Sequence, residues 1–180
     1  HNTLHVDSNS NYDFVFLLLM KLLYNILIEL VNFLLPILAF TSPKMTLFVR
    51  GRKESFAELK QLQGQKVIWF HAASLGEFEQ AIPIIEALKK QNTDGKILVT
   101  FFSPSGYEVR KNYPLADLVC YLPLDTKANA KRFVELVQPK IAIFIKYEFW
   151  PNLLKALKKN KIKTILVSGI LRENQIFFKW

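Results

Sequence analysis

Val67-Ile-Trp-Phe70-His71-Ala-Ala-Ser74-Leu-Gly76-Glu77 is the stretch on which the reading of this chain turns. Its apolar first half, Val67 to Phe70, has the length and composition of a buried strand. Directly after Glu77, the residues Phe78, Ala81, Ile82, Ile85 and Leu88 recur like one face of a helix. A strand that ends in small residues and opens into a helix is the unit on which α/β proteins build ligand sites. Here the turn carries one carboxylate, Glu77, to the sheet edge. Two readings of it stand side by side. Ser74-x-x-Glu77 fits a capping box, with Glu77 reaching back to free N–H groups. The same carboxylate at a strand end also suits a catalytic base. Gly76 lets a ligand or a backbone come close.

Working outward, the pattern repeats. Strands are expected at 66–71, 96–101, 118–121, 141–146 and 164–167, and helices at 77–91, 104–112, 126–137 and 151–160. Strands alternating with helices predict right-handed βαβ units on a parallel sheet. Pro104 and Pro151 suit a first helical turn, and Ser103 and Asp125 suit N-caps. Pro83 should bend or restart its helix. The loops at 74–77, 103–106, 123–125, 148–152 and 168–169 would then share one edge, so Glu77 and Glu148 are expected over one crevice. A surface carboxylate favoured by a helix dipole is the alternative for Glu148.

Upstream, residues 14–40 are almost wholly apolar. As a helix they would measure about 40 Å, against roughly 30 Å of bilayer hydrocarbon. Lys21, Asn25, Glu29, Asn32 and Pro36 fall on one narrow stripe of that helix. A stripe of this kind faces protein or water, so the segment reads as a membrane anchor lying in the interface or spanning with one side against protein. Residues 1–13 read as a polar, disordered lead, residues 41–65 as a basic linker with a short helix near 54–62, and residues 66–180 as the α/β domain. The basic flank after the anchor places the domain on the cytoplasmic side.

Charge is uneven: residues 1–43 hold one Lys against three acids, and residues 44–180 hold 23 basic against 12 acidic residues, a net of +11. That favours an anionic partner, a membrane surface or a phosphorylated substrate. No nucleic-acid motif occurs, and the lysines are scattered over several helices, so no nucleic-acid partner is expected. The lone Cys120 makes no intramolecular disulfide, and the three histidines have no metal-ligand spacing, so no metal site is expected. Neither a G-x-G-x-x-G fingerprint, a P-loop nor a G-x-S-x-G elbow is present.

The ordered set of motifs resembles the 3-deoxy-D-manno-octulosonate (Kdo) transferases of Gram-negative lipopolysaccharide synthesis. A hydrophobic N-terminal segment is followed by Val49-Arg50-Gly51-Arg52-Lys53 and by His71-x-x-Ser74-x-Gly76-Glu77. Then come Ala81-Ile82-Pro83, Val99-Thr100-x-x-Ser103-Pro104-Ser105-Gly106, Tyr121-Leu122-Pro123-x-Asp125 and Glu148-Phe149-Trp150-Pro151-Asn152, with Arg172 near the end. The resemblance covers roughly residues 15–178. It implies the N-terminal, acceptor-side half of a GT-B glycosyltransferase, Rossmann-like, with the donor half beyond residue 180 and this fragment inactive alone. It implies inverting transfer of Kdo from CMP-Kdo to a lipid A precursor at the cytoplasmic face of the inner membrane, without a cofactor. Glu77 matches the family's general base. Glu148 matches a second acid of the acceptor cleft, and Ser74, Gly76, Ser105 and Gly106 would shape the substrate loops. Arg50, Arg52 and Lys53 would meet lipid headgroups or form a solvated linker. Two places depart from the family pattern: Lys146-Tyr147, where Lys146 could pair with Glu148, and Ser168-Gly169-Ile170. The alternatives are another GT-B glycosyltransferase, a sugar-nucleotide epimerase, or a non-catalytic membrane-anchored binding module.

Overall fold

The computed structural model describes residues 8–40, 42–91, 94–146 and 148–167, with side chains from residue 15 onward except that of residue 44. The expected loop at 168–169 and Arg172 lie outside the described residues.

Five strands, β1 (Val67–Ala72), β2 (Lys96–Phe101), β3 (Leu118–Tyr121), β4 (Ile141–Ile145) and β5 (Lys163–Val167), form one sheet in the order β3-β2-β1-β4-β5. Every pairing is parallel, so the α/β, Rossmann-like reading holds. The order reverses between β1 and β4, and the carboxyl ends of those two strands flank the position where such sheets bind ligands.

Because side chains alternate along a strand, each strand serves two cores. Trp69, Leu98, Cys120, Ala142 and Phe144 pack on one face with Leu59, Phe133, Val134 and Leu157. Those four come from α2 (Pro43–Leu59), α6 (Lys127–Val137) and α7 (Pro151–Lys159). On the other face, Phe70, Val99, Phe101 and Ile143 meet Phe78 of α3 (Leu75–Phe78) and Ile85 of α4 (Ile82–Lys90). Gly106 of α5 (Pro104–Arg110) completes that layer: a Cβ there would overlap the Phe101 ring.

The helix expected at 77–91 is two helices. Pro83 stands in the first turn of α4, where its missing N–H costs nothing. Pro104 and Pro151 open α5 and α7 in the same way, and Ser103 Oγ accepts from Ser105 N as expected of an N-cap.

Two local expectations are corrected. The short helix near 54–62 is the second half of α2, a 17-residue helix started by Ser42 and Pro43, continued by a 3-10 turn at Lys60–Leu62. Asp125 does not cap the helix that follows it. Thr126 does, accepting from Asn129 N. The Asp125 carboxylate, 2% exposed, instead accepts from Asn152 N at 2.9 Å and Leu153 N at 2.8 Å, closing the first turn of α7.

The apolar segment is a single helix, α1 (Ser8–Leu38), which begins inside the stretch expected to be disordered. Its Val15–Leu38 portion is long and apolar enough to cross a membrane. One side is docked on the domain. Tyr24 OH donates to Asp125 Oδ2 at 2.8 Å, and Asn152 Nδ2 donates to Asn25 Oδ1 at 2.9 Å. Ile28, Val31, Leu35 and Ala39 then pack with Val49, Leu124, Met45 and Phe48. Of the polar stripe only Asn25 is buried; Lys21, Glu29 and Asn32 border the docked face and stay exposed.

Candidate active site

His71, near the carboxyl end of β1, is wholly buried. Its Nδ1 lies 2.9 Å from Thr100 Oγ1 and 3.1 Å from Thr100 O on the adjacent strand. Trp69 Nε1 donates to the same Thr100 hydroxyl at 2.8 Å. These bonds fix the ring so that Nε2 faces the β1/β4 crevice. There it lies 3.4 Å from Glu148 Oε2, and the Trp150 indole N–H is shared between His71 Nε2 at 3.2 Å and Glu148 Oε2 at 3.1 Å. A proton on Nδ1 goes to Thr100 O and leaves Nε2 to accept from Trp150; a proton on Nε2 goes to Glu148. Either tautomer closes the network.

Glu148 reaches this position because the chain turns sharply after β4, with Lys146 in a left-handed conformation at φ 60°. Its side chain is 17% exposed. Its partners are His71 and Trp150, in place of the pairing with Lys146 that adjacency in sequence suggested.

Two residues past His71, Ala73 N donates to Glu77 Oε2 at 2.7 Å, and Ser74 N donates to the same oxygen at 3.2 Å. Glu77 therefore does what a capping-box acid does. Among the described residues no protein group bonds its other oxygen, Oε1. One oxygen is pinned by backbone and the other is unbonded among the described residues, so the cap fixes the position of the whole carboxylate. Ser103 N donates to Ala73 O at 2.8 Å, which ties the loop after β2 to the loop after β1. Ser105 Oγ lies 2.9 Å from Ser103 Oγ. Glu77, Ser74 and Ser105 thus sit on two laced loops, with Glu148 reached through His71.

The two glycines of these loops differ. Gly106 is buried against Phe101 and is required by packing, whereas a Cβ at Gly76 would meet nothing within 4 Å. The fold does not need a glycine at 76.

Of the three cations proposed for headgroups, Arg50 is exposed and paired with Glu54 at 3.0 Å. Lys53 is exposed. Arg52 is 7% exposed and turned into the protein: it donates to Phe48 O and Phe102 O and lies 3.4 Å above the Phe48 ring. Among the described residues no group of three His, Cys, Asp or Glu is placed to hold a metal ion.

The sequence motifs contain His71 and Trp150 but assigned them no role in the site, and they gave Asp125 only that of a helix cap. A lone imidazole inside an otherwise apolar strand was the available signal for His71, since a buried polar group demands partners.

Strand order and the parallel pairing define a Rossmann-like α/β domain, a class that binds its ligands at the carboxyl ends of the strands. Comparison narrows this. Residues 50–178 match the sequence model of a family described as 3-deoxy-D-manno-octulosonic-acid transferase (kdotransferase), and the chain belongs to that family. Among its relatives, a 3-deoxy-D-manno-octulosonic acid transferase of Aquifex aeolicus is 41% identical over 105 residues, covering 58% of this chain and 28% of that protein. A probable mitochondrial 3-deoxy-D-manno-octulosonic acid transferase of Arabidopsis thaliana is 36% identical over 128 residues, covering 64% and 29%. The Haemophilus influenzae 3-deoxy-D-manno-octulosonic acid transferase is 35% identical over 105 residues, covering 58% and 25%. The chain therefore spans between a quarter and three tenths of the length of these relatives.

Proposed function

We propose that this chain supplies the acceptor side of an inverting glycosyltransferase that moves Kdo from CMP-Kdo to a lipid A precursor. Attack of the acceptor hydroxyl on the anomeric carbon needs one base within hydrogen-bond reach of the proton that leaves. Glu77 takes that role. The observation that carries the assignment is its split carboxylate, with Oε2 held by Ala73 N and Ser74 N and Oε1 unbonded among the described residues. Glu148, held between His71 and Trp150, orients the acceptor. Ser74, Gly76 and Ser105 shape the acceptor side of the crevice. Glu77 supplies the proton sink, and no metal or cofactor enters the step. The α1 helix holds the domain at the cytoplasmic face of the membrane that contains the lipid acceptor, and the basic balance of residues 44–180 suits an anionic phosphoglycolipid.

The test uses the full-length gene product in detergent with CMP-Kdo and a lipid A precursor, read by mass spectrometry of the lipid. Glu77→Gln keeps an oxygen to accept from Ala73 N and Ser74 N but is not a base. The expected loss is about 10²- to 10⁴-fold in kcat with an unchanged thermal melt. A Kdo mass gain at wild-type rate in the variant would leave Glu77 as a helix cap only. No gain in folded wild type would overturn the choice of donor and acceptor.

A further inference from the structure

Tyr24 and Asn25 are neighbours on α1, and they bond residues 101 and 127 positions further along the chain. Both lie ahead of residues 50–178, the part that matches the family, so the match says nothing of what they do. Burying an amide on an apolar helix is costly unless its polar atoms find partners. At Asn25 they are paired at both ends: Nδ2 donates to Lys21 O at 2.6 Å, and Oδ1 accepts from Asn152 Nδ2 at 2.9 Å. Charge does not hold the helix there, because Lys155 and Lys127 repel Lys21.

The two bonds end on the unit that builds the start of α7. Asp125 Oδ2 accepts from Tyr24 OH and Asn152 N together, and Oδ1 accepts from Leu153 N. Asn152 Nδ2 donates to Asn25 Oδ1 and also to the Asp125 carbonyl, at 2.7 Å. The next amide, Leu154 N, donates to Trp150 O at 2.8 Å. Three consecutive N–H groups thus set the first turn of α7. Trp150, which opens that turn, is the residue whose indole donates to Glu148 and His71. Asp125 and Asn152 are both more than nine-tenths buried, and in a close-packed interior a shift of one group is passed to its neighbours.

We propose that Tyr24 and Asn25 are positioning residues of the transferase: docking of α1 sets the first turn of α7 and, through Trp150, the place of Glu148. The inference rests on the reading of Glu148 as the residue that orients the acceptor, but its geometric half is measured without the reaction. Undocking of α1 is then felt at the crevice even where no membrane is present.

The test uses the full-length gene product in detergent, where recruitment to a membrane plays no part. Tyr24→Phe and Asn25→Leu remove the two bonds, singly and together. Leu27→Gln, on the exposed side of α1, is the control. The first readout is the indole N–H resonance of Trp150 in protein made with isotope-labelled tryptophan, assigned by its loss in Trp150→Phe. It should move in each single variant, further in the double variant, and not in Leu27→Gln. The second readout is steady-state transfer. Misplacement of an orienting group should lower kcat/KM for the lipid acceptor by about fivefold or more in the double variant, with KM for CMP-Kdo within about twofold of wild type. In a Glu148→Gln background the same two substitutions should cost less than about twofold further, because the residue they position is already disabled. A merely structural role would lower the melts and move neither the resonance nor the kinetics at temperatures where the variants are folded. A Trp150 resonance at its wild-type position in the double variant would overturn the coupling, and so would a full loss of kcat/KM that persists in Glu148→Gln. If folded wild type transfers no Kdo, the reading of the function falls, and the resonance alone decides this inference.

Discussion

Removing the Asp125 carboxylate should loosen two helices at once. Its oxygens accept from Asn152 N, Leu153 N and Tyr24 OH, all within 2.9 Å. In Asp125→Ala, two main-chain N–H groups at the start of α7 lose their acceptor, at about 1–3 kcal/mol each, and the tyrosine bond adds about 1 kcal/mol. Relief from burying a carboxylate returns part of this, leaving a net loss of about 3 kcal/mol. For a chain of this size that corresponds to a melting temperature lower by about 6–12 °C, measured by far-ultraviolet circular dichroism in detergent. Tyr24→Phe removes only the α1 bond and should cost about 1 kcal/mol. The double variant should cost less than the sum of the two, because both delete the same bond. There is also a pH signature. Burial raises the Asp125 carboxyl above the ordinary range, so the folded state holds its proton more tightly than the unfolded chain. Stability from this group is full below the unfolded pKa and is lost as pH rises through the folded one. A loss under about 1 kcal/mol for Asp125→Ala, or strictly additive losses, would refute the picture of one carboxylate joining α1 to α7.

Asp117 should behave with the opposite sign. Burial works to raise it, but the Ile97 N–H, Lys96 and Lys89 outweigh burial and hold it below the ordinary carboxylate range. Its contribution is present above the unfolded pKa and disappears as pH falls through the folded one; a melt series on Asp117→Asn should lack that acid limb. Gly51→Ala should cost about 1–3 kcal/mol in chemical denaturation, because a Cβ at this helical position would overlap the Tyr121 ring. Gly76→Ala, which meets no atom, should melt within about 0.5 kcal/mol of wild type yet lower transfer by the full-length enzyme if the acceptor passes over that turn.

The α/β frame was legible because local signals agreed. The strands at 96–101 and 118–121 fall where the apolar runs predicted, and Pro83, Pro104 and Pro151 each mark a helix start. The full length of α2 was hidden because its buried face runs Val49, Arg52, Ser55, Leu59. Two polar residues interrupt the apolar period there, and only tertiary partners, the Phe102 carbonyl and the rings of Phe102 and Tyr121, make Arg52 an inside residue. Asp125 defeated the capping rule for a related reason. The rule looks three residues ahead, whereas its donors stand 27 and 28 positions away. In the site, Glu77 and Glu148 could be named from their loops, but the histidine and indole joining Glu148 to β1 required the β1/β4 pairing to be seen.

The docking of α1 also limits how much of that helix is free of protein in this pose. From Tyr24 to Ala39 it lies along the domain, a length of about 22 Å. Ahead of the docked part, the apolar stretch from Val15 to Leu23 amounts to about 13 Å, less than half of the roughly 30 Å of hydrocarbon. In this arrangement the helix is shaped to act as a float more than as a post: Leu27, Leu30, Phe33 and Ile37 are exposed on its outward face, where a lipid surface could meet them, while its inner face stays on protein. Passing through the bilayer would require giving up the bonds to Asp125 and Asn152. Those residues hold the first turn of α7, next to Trp150 and Glu148, so the bonds that dock the apolar helix and those that shape the chain beside Glu148 meet at the same two side chains.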